Sequence, residues 1–468
     1  MKNILKYSFL IAAWLVFSGC SKTLLDLKPQ QSIDAGTAFE SDQDVDAAMI
    51  GCYSILGGGA LYGTNLLLLP DLLASNSAAT STSADRYLTW QGTFTGPRQV
   101  YGKTMTRDNA EASRTWIAAY RAINTANIVI ANLSKVKDTD LQAQLEGEAL
   151  FVRGIMHFEL VRLFALPYGA TADNSQPGVV ISKTANTTEA EASKKVPRAT
   201  VSQVYDAVIT DLKAAINKLP EENGTRATKY TALAFLSRVY LQSGNYAEAL
   251  AAANEVIESG FYGMNAAVMA VFSNKNTKES IFEIQQNEQN NAGQTNDGMA
   301  TFYASISGVG RGDARVPANF PSTVYQAGDL RIDEWYYQGR SGRPGTYCAK
   351  WKSFSQNLPI VRIAEMYLTR AECNIRLNST VGAVPADDLY TIANELRTNS
   401  IPPINPTLED ILKERYIELA YEGVRIHDIK RLRLNVGARS WDADRLVMPI
   451  PQREIDASTG VLTQNNGY

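Results

Sequence analysis

Between residues 230 and 260 the chain reads YTALAFLSRVYLQSGNYAEALAAANEVIESG, with apolar positions at helical spacing on both sides of one break. Leu233, Leu236 and Tyr240 share a face, as do Ala249, Ala253 and Val256. Apolar residues recurring three and four apart mark an amphipathic helix. Ser243-Gly244-Asn245 interrupts the period and reads as a turn, so the spacing predicts two antiparallel helices. More divergent segments repeat the pattern. Residues 35–56 and 114–133 predict one helix pair split by a long insertion, 141–164 and 200–219 a second, and 360–377 with 386–396 another. One more helix is expected over 408–432, and Pro220 and Pro359 punctuate helix ends.

Within 230–260, Tyr240, Gly244, Tyr246 and Ala249 fall where a tetratricopeptide repeat places its tyrosine, turn glycine, aromatic and small residue. A single pair cannot bury its own apolar face, so neighbours must stack on it. The expected fold is mainly α: a right-handed solenoid of tetratricopeptide-like helix pairs over about 35–56, 114–164, 200–260 and 360–432. Residues 57–108 and 261–357 are different, rich in Gly, Ser, Thr, Asn and Tyr with little helical period. Insertions of that length in a helical scaffold are usually functional. They are expected to form an irregular, loop-rich subdomain that carries the binding chemistry.

The N-terminus places the chain. Lys2 and Lys6 precede an apolar run from Tyr7 to Phe17, and Ser18-Gly19 leads into Cys20. Such a run is a secretory signal, too short for the roughly 20 apolar residues of a membrane span. Residues 1–19 are read as the signal and 20–468 as the mature domain. Cleavage removes Lys2 and Lys6, taking the formal charge from −3 to −5. That balance argues against nucleic acid, which needs a basic stripe. Cys52, Cys348 and Cys373 are too widely spaced for a disulfide framework or zinc site and read as small buried hydrophobes. Two histidines, His157 and His427, are too few for a histidine-rich metal centre. No cofactor is implied. Twenty-two tyrosines and six tryptophans are the notable excess.

Cys20 after Ser18-Gly19 resembles the lipobox of bacterial lipoproteins, with Phe17 where leucine is usual. More than one acyl chain on that thiol would anchor the domain to a membrane without spanning it. Five further segments extend the likeness: 148–169 (EALFVRGIMHFELVRLFALPYG), 230–260, 361–377 (VRIAEMYLTRAECNIRL), 411–432 (ILKERYIELAYEGVRIHDIKRL) and 448–468, with its MPIPQREIDAS and QNNGY. Together with 20–30 (CSKTLLDLKPQ) they resemble the SusD/RagB family of Bacteroidota cell-surface lipoproteins; Ala165 stands where a glycine is common. The resemblance implies a surface-exposed, lipid-anchored outer-membrane protein. It would capture oligosaccharide and pass it to a SusC-type TonB-dependent barrel. Peptide or glycopeptide cargo, or a tetratricopeptide-like scaffold for protein alone, are the alternatives.

Sugar binding without chemistry needs flat rings for pyranose C–H faces and polar groups for hydroxyls. The first insertion offers Tyr87, Trp90, Arg98 and Tyr101, with Asn76 and Asp85 nearby; the second offers Trp335, Tyr336 and Tyr337 beside Arg331 and Asp333. Trp90 leads, lying in a polar loop with no apolar run to pack against. The competing reading is that these rings pin the loops to the helices. Trp116 and Trp351 read as core. Glu414, Glu418 and Glu422, four apart, share a helix face and leave no cleft, so ion pairing with Arg415, Arg425 and Arg431 is expected rather than glycoside hydrolysis. His157 reads as a satisfied helix-face histidine, and His427 as bonded locally to Asp428. Neither has a serine or cysteine nucleophile in a recognisable elbow. Gly57-Gly58-Gly59 lacks the following Gly-Lys-Ser/Thr of a phosphate loop, and Arg311-Gly312-Asp313 reads as coincidence.

Overall fold

Apolar stripes become helix faces. α1 (Asp42–Leu56) buries Val45, Met49, Cys52 and Leu56 in a line, and α2 (Asn65–Ala74) is buried along its whole length. The computed structural model describes residues 39–77 and 87–468; the leader, Cys20 and Asp85 lie outside them. β1 (Thr89–Trp90) and α3 (Thr95–Gly102) complete the first insertion. The helical scaffold resumes with α4 (Ala110–Ala131), α5 (Thr139–Phe164), α6 (Val201–Ile216), α7 (Lys229–Ser243) and α8 (Tyr246–Glu258). Thr200 and Thr228 close capping boxes at the starts of α6 and α7, satisfying backbone N–H groups that the first turn leaves open. Gly244, at φ 76°, ends α7 in the left-handed conformation that permits the tight turn into α8.

The second insertion contributes β2 (Ser280–Ile284), β3 (Ala314–Arg315), β4 (Tyr336–Gln338) and β5 (Thr346–Cys348), and β6 (Leu358–Arg362) leads into α9 (Ile363–Leu377). These strands form two-stranded antiparallel sheets, β1 with β3, β2 with β6 and β4 with β5. α10 (Pro385–Ile392), α11 (Leu408–Glu418) and α12 (Arg425–Arg431) follow, and a short helix, α13 (Gln452–Ala457), comes last. Packing runs mostly from one helix to the next: α1 on α4, α4 on α5, α5 on α6, α6 on α7, α7 on α8, α8 on α9, and α9 on α10 and α11. The fold is mainly α. Buried ion pairs bolt neighbours together, with Arg153 on Asp211 (2.7 Å) between α5 and α6 and Arg238 on Glu365 (2.6 Å) between α7 and α9.

The helix expected over 408–432 breaks in two. Tyr421 (φ 64°) and Gly423 (φ 76°) take left-handed conformations between α11 and α12. Gly423 lies so close to α2 that a Cβ there would sit 2.7 Å from Leu67 Cα. Residues 57–108 hold two helices that their sequence pattern did not announce, and residues 360–362 belong to β6. Cys52, Cys348 and Cys373 are free and buried, as expected, and burial pushes each thiol up to about 12.

Candidate ligand-binding site

The two insertions meet. Trp90 pairs with Ala314 and Thr89 with Arg315 across β1 and β3, and the Gln91 N–H donates to Asp313 O at 2.7 Å. The Trp90 ring turns inward against Phe302, with centroids 5.7 Å apart, and is only 7% exposed. Gly92 crosses its edge at a distance no side chain allows, since a Cβ would lie 2.5 Å from Trp90 Cζ2. Phe94, at the N-terminus of α3, remains 39% exposed and meets Phe302 edge-on at 6.4 Å. The Arg311 guanidinium lies 4.1 Å from the Phe94 ring centroid and 5.1 Å from that of Phe302. Asp313 accepts from Arg311 Nε at 2.8 Å and Asn296 Oδ1 from its Nη1 at 3.0 Å, so the cation is fixed and largely neutralised.

On and next to β1, two further side-chain donors are closed off from solvent and unused. Trp90 Nε1 and Gln91 Nε2 have no hydrogen-bond partner among the described residues. Buried donors in folded proteins are nearly always paired, and an unpaired one costs about 1–3 kcal/mol. An exposed ring beside a fixed guanidinium is suited to a ligand with one apolar face and polar groups at its edge.

The expected site residues divide sharply. Tyr87 is buried, stacked 4.8 Å from Tyr421, with its hydroxyl accepting the Tyr421 N–H and its phenol pushed well up by burial. Trp335 is 0% exposed; its Nε1 donates to Val268 O at 3.1 Å, and Lys350 Nζ lies 3.9 Å from its ring centroid. Tyr336 is buried with its hydroxyl 2.8 Å from that of Tyr325. These three, and most of Trp90, are withdrawn from any ligand: they glue insertion to scaffold. Arg98 is exposed on α3, one turn beyond Phe94, and Tyr101 is half-buried against the core. Tyr337 is half-buried, its hydroxyl accepting from Ser305 N–H at 2.7 Å and its ring 4.6 Å from Lys352 Nζ. Trp116 and Trp351 are core, as expected.

Phe94, Gln91, Asn296 and Arg311 were missed. Phe94 sits in Gly-Thr-Phe-Thr-Gly-Pro, a context as polar as the one that singled out Trp90. Arg311 belongs to the Arg-Gly-Asp triplet whose ends form the ion pair described above.

The acidic ladder is structural, with partners other than those expected. Arg331 reaches Glu414 and Glu418, while Arg362 reaches Glu418 and Glu422. Arg415 turns to Glu365 and Asp428, and Arg425 lies over the Tyr416 ring. His157 is satisfied, its Nδ1 2.9 Å from Arg153 O and its Nε2 accepting from Ser182 N–H at 3.1 Å. Asp428 is taken by Arg415 and Arg431, so it does not serve His427, whose Nε2 is unpartnered among the described residues. No group of metal-ligating side chains, and no helix long and apolar enough to cross a membrane, occurs among the described residues.

Residues 24–241 match a family described as starch-binding and associating with the outer membrane, and residues 333–447 match the SusD family. SusD-like protein P2 of Formosa agariphila is 28% identical, over 99% of both chains. A SusD superfamily protein from Bacteroides thetaiotaomicron has the same fold, with a TM-score of 0.79 at 24% identity over 91% of this chain and 99% of its own. So does surface glycan-binding protein A from that organism, solved in complex with laminarihexaose, with a TM-score of 0.73 at 19% identity over 91% of this chain and 100% of its own.

Proposed function

Because the chain belongs to the SusD/RagB family, we propose that it captures oligosaccharide at the cell surface, tethered to the outer membrane through Cys20. It hands the glycan, without chemistry, to a SusC-type TonB-dependent barrel. The observation that carries this reading is the exposed Phe94 ring with the Arg311 guanidinium held against it. The Phe94 ring offers its face to pyranose C–H groups, and the polar rim of Arg311 and Asn296 beside it meets ring hydroxyls. Asp313 and Asn296 already occupy Arg311, which favours a neutral sugar over the free carboxylate of a peptide. Affinity is modest, since an open, wet site buries little ligand.

Isothermal titration against neutral oligosaccharides tests the reading. Phe94→Ala removes the stacking face and is expected to cost about 1–2 kcal/mol, roughly 5- to 30-fold in Kd. Unchanged binding in that variant refutes the site, and a panel with no bound sugar refutes the cargo.

A further inference from the structure

A second cleft, of about 370 Å³, lies away from the Phe94 patch, where the start of α7 faces β2. That volume is within the range of about 300–1,000 Å³ typical of small-molecule sites. Phe261 stands at it with 41% of its surface exposed, tilted against Tyr230 with centroids 5.3 Å apart. Tyr262 meets Tyr230 edge-on at 6.3 Å and also lines the cleft, with its hydroxyl 3.3 Å from Thr228 Oγ1.

Three polar side chains lining the cleft are incompletely used. Glu283, 6% exposed, accepts from Asn276 N–H at 3.0 Å and Asn357 Nδ2 at 2.7 Å through Oε2, while its Oε1 has no donor. Ser280, 9% exposed, has an unpartnered hydroxyl. Arg226 gives Nε to Glu148 and Nη1 to Asp46, and its Nη2 has no acceptor. Oε1 needs a donor, Nη2 needs an acceptor, and the serine hydroxyl takes either. Hydroxyl groups supply both roles at once, and a saccharide combines them with a C–H face fit for the Phe261 ring.

We propose that this cleft is a second saccharide subsite, holding another sugar unit of the captured glycan or a second chain. The inference rests on the glycan-capture reading but uses none of the residues of the Phe94 patch. Its walls come from residues 222–228, just ahead of α7, and from residues 261–285 at the start of the second insertion, so it forms where scaffold and insertion join.

The test is titration of the intact mature protein with neutral hexasaccharides, laminari-, cello-, xylo- and mannohexaose, read by calorimetry and by saturation-transfer NMR. Three variants are compared: Phe94→Ala, Phe261→Ala and Ser280→Ala. Phe261 and Ser280 are small losses to folding, one being exposed and the other a single hydroxyl, and circular dichroism checks that each variant is folded. Expected is a sugar signal that persists in Phe94→Ala and falls at least fivefold in affinity when Phe261→Ala or Ser280→Ala is added. Abolition of all binding by Phe94→Ala alone, with Phe261→Ala and Ser280→Ala unchanged from the parent, overturns the second subsite and leaves the first reading standing. Binding that ignores Phe94→Ala but is lost in Phe261→Ala overturns the Phe94 site and supports this one. Absence of binding to any sugar overturns both.

Discussion

Glu418 is the acid at which three guanidinium groups meet, and Glu418→Gln tests how the second insertion is held. Its carboxylate takes Arg331 Nη1 at 2.9 Å, Arg362 Nη1 at 2.9 Å and Arg397 Nη2 at 3.2 Å, all buried. Burial opposes its ionisation, but Arg397, Arg362 and Arg331 outweigh that and hold the carboxyl well below the usual range. By charge count the change looks harmless. The cations Arg331, Arg362, Arg397 and Lys350 face the acids Asp329, Glu279, Glu414, Glu418 and Glu422, so removing one acid leaves four against four. Geometry says otherwise. Arg331 keeps Asp329 and Glu414, and Arg362 keeps Glu279 and Glu422, but Arg397 is left with Glu279 at 3.5 Å. Leaving a buried charge without a close partner costs about 3–5 kcal/mol. With an unfolding entropy of about 2.1 cal/mol/K per residue, a chain of this length loses roughly 1 °C per kcal/mol, so Tm should fall by about 3–5 °C. Glu414→Gln is the control. Burial raises the pKa of Glu414, and Arg331 retains Asp329 and Glu418 without it, so the cost should stay below about 1 kcal/mol. Thermal unfolding by circular dichroism decides. Equal shifts in the two variants, or a Glu418→Gln melt within 1 °C of the parent, would mean that charge count and not local pairing sets the stability.

Burial lowers the His157 pKa to about 4, against 6.5 in the unfolded chain. The neutral ring's stabilisation is therefore complete above about pH 6.5 and declines as pH falls toward 4, by about 3 kcal/mol over the span. Urea unfolding from pH 7.5 to 4 should show that slope flattened in His157→Gln; parallel curves for parent and variant would exclude the histidine as its source. Gly92→Ala puts a methyl 2.5 Å from Trp90 Cζ2 and 2.9 Å from Asp313 Cγ. Overpacking of this kind costs about 1–3 kcal/mol, and because Asp313 fixes Arg311 the variant should also lose sugar affinity in the same titration. A variant that melts and binds like the parent would show that this approach does not order the site.

The helices were legible because burial writes a stripe: α1, α6 and α8 carry their buried residues three and four apart, and that spacing needs no knowledge of the partner. The break after α11 was not. Ala420 and Tyr421 preserve an apolar run, while the reason for the break is the approach of Gly423 to Leu67, far away in the chain. The same limit separates Trp90 from Phe94. Both sit in one polar loop four residues apart, and which ring is buried depends on Phe302 from the other insertion and on the edge of Gly92. For the glutamates, spacing identified the shared face, but the arginines that meet it come from residues 331, 362 and 397, which no local pattern connects to 414–422.

The aromatic excess thus divides between two roles, and the buried one serves the exposed one. An aromatic platform that must be ordered on binding costs roughly 0.5–1.5 kcal/mol per immobilised side chain, taken from an already modest affinity. Phe94 avoids much of that cost. Phe302 backs it, Arg311 covers it, and Asp313 and Asn296 hold Arg311. Asp313 adjoins β3, which is paired to β1. Behind that sheet Tyr87, Phe320, Tyr336 and Tyr421 pack ring on ring into the scaffold, and Arg331 clamps the same insertion to Glu414 and Glu418 of α11. A flexible glycan loses conformational freedom wherever it lands, so a surface whose own ordering was completed on folding is the one that can hold it with a single exposed ring.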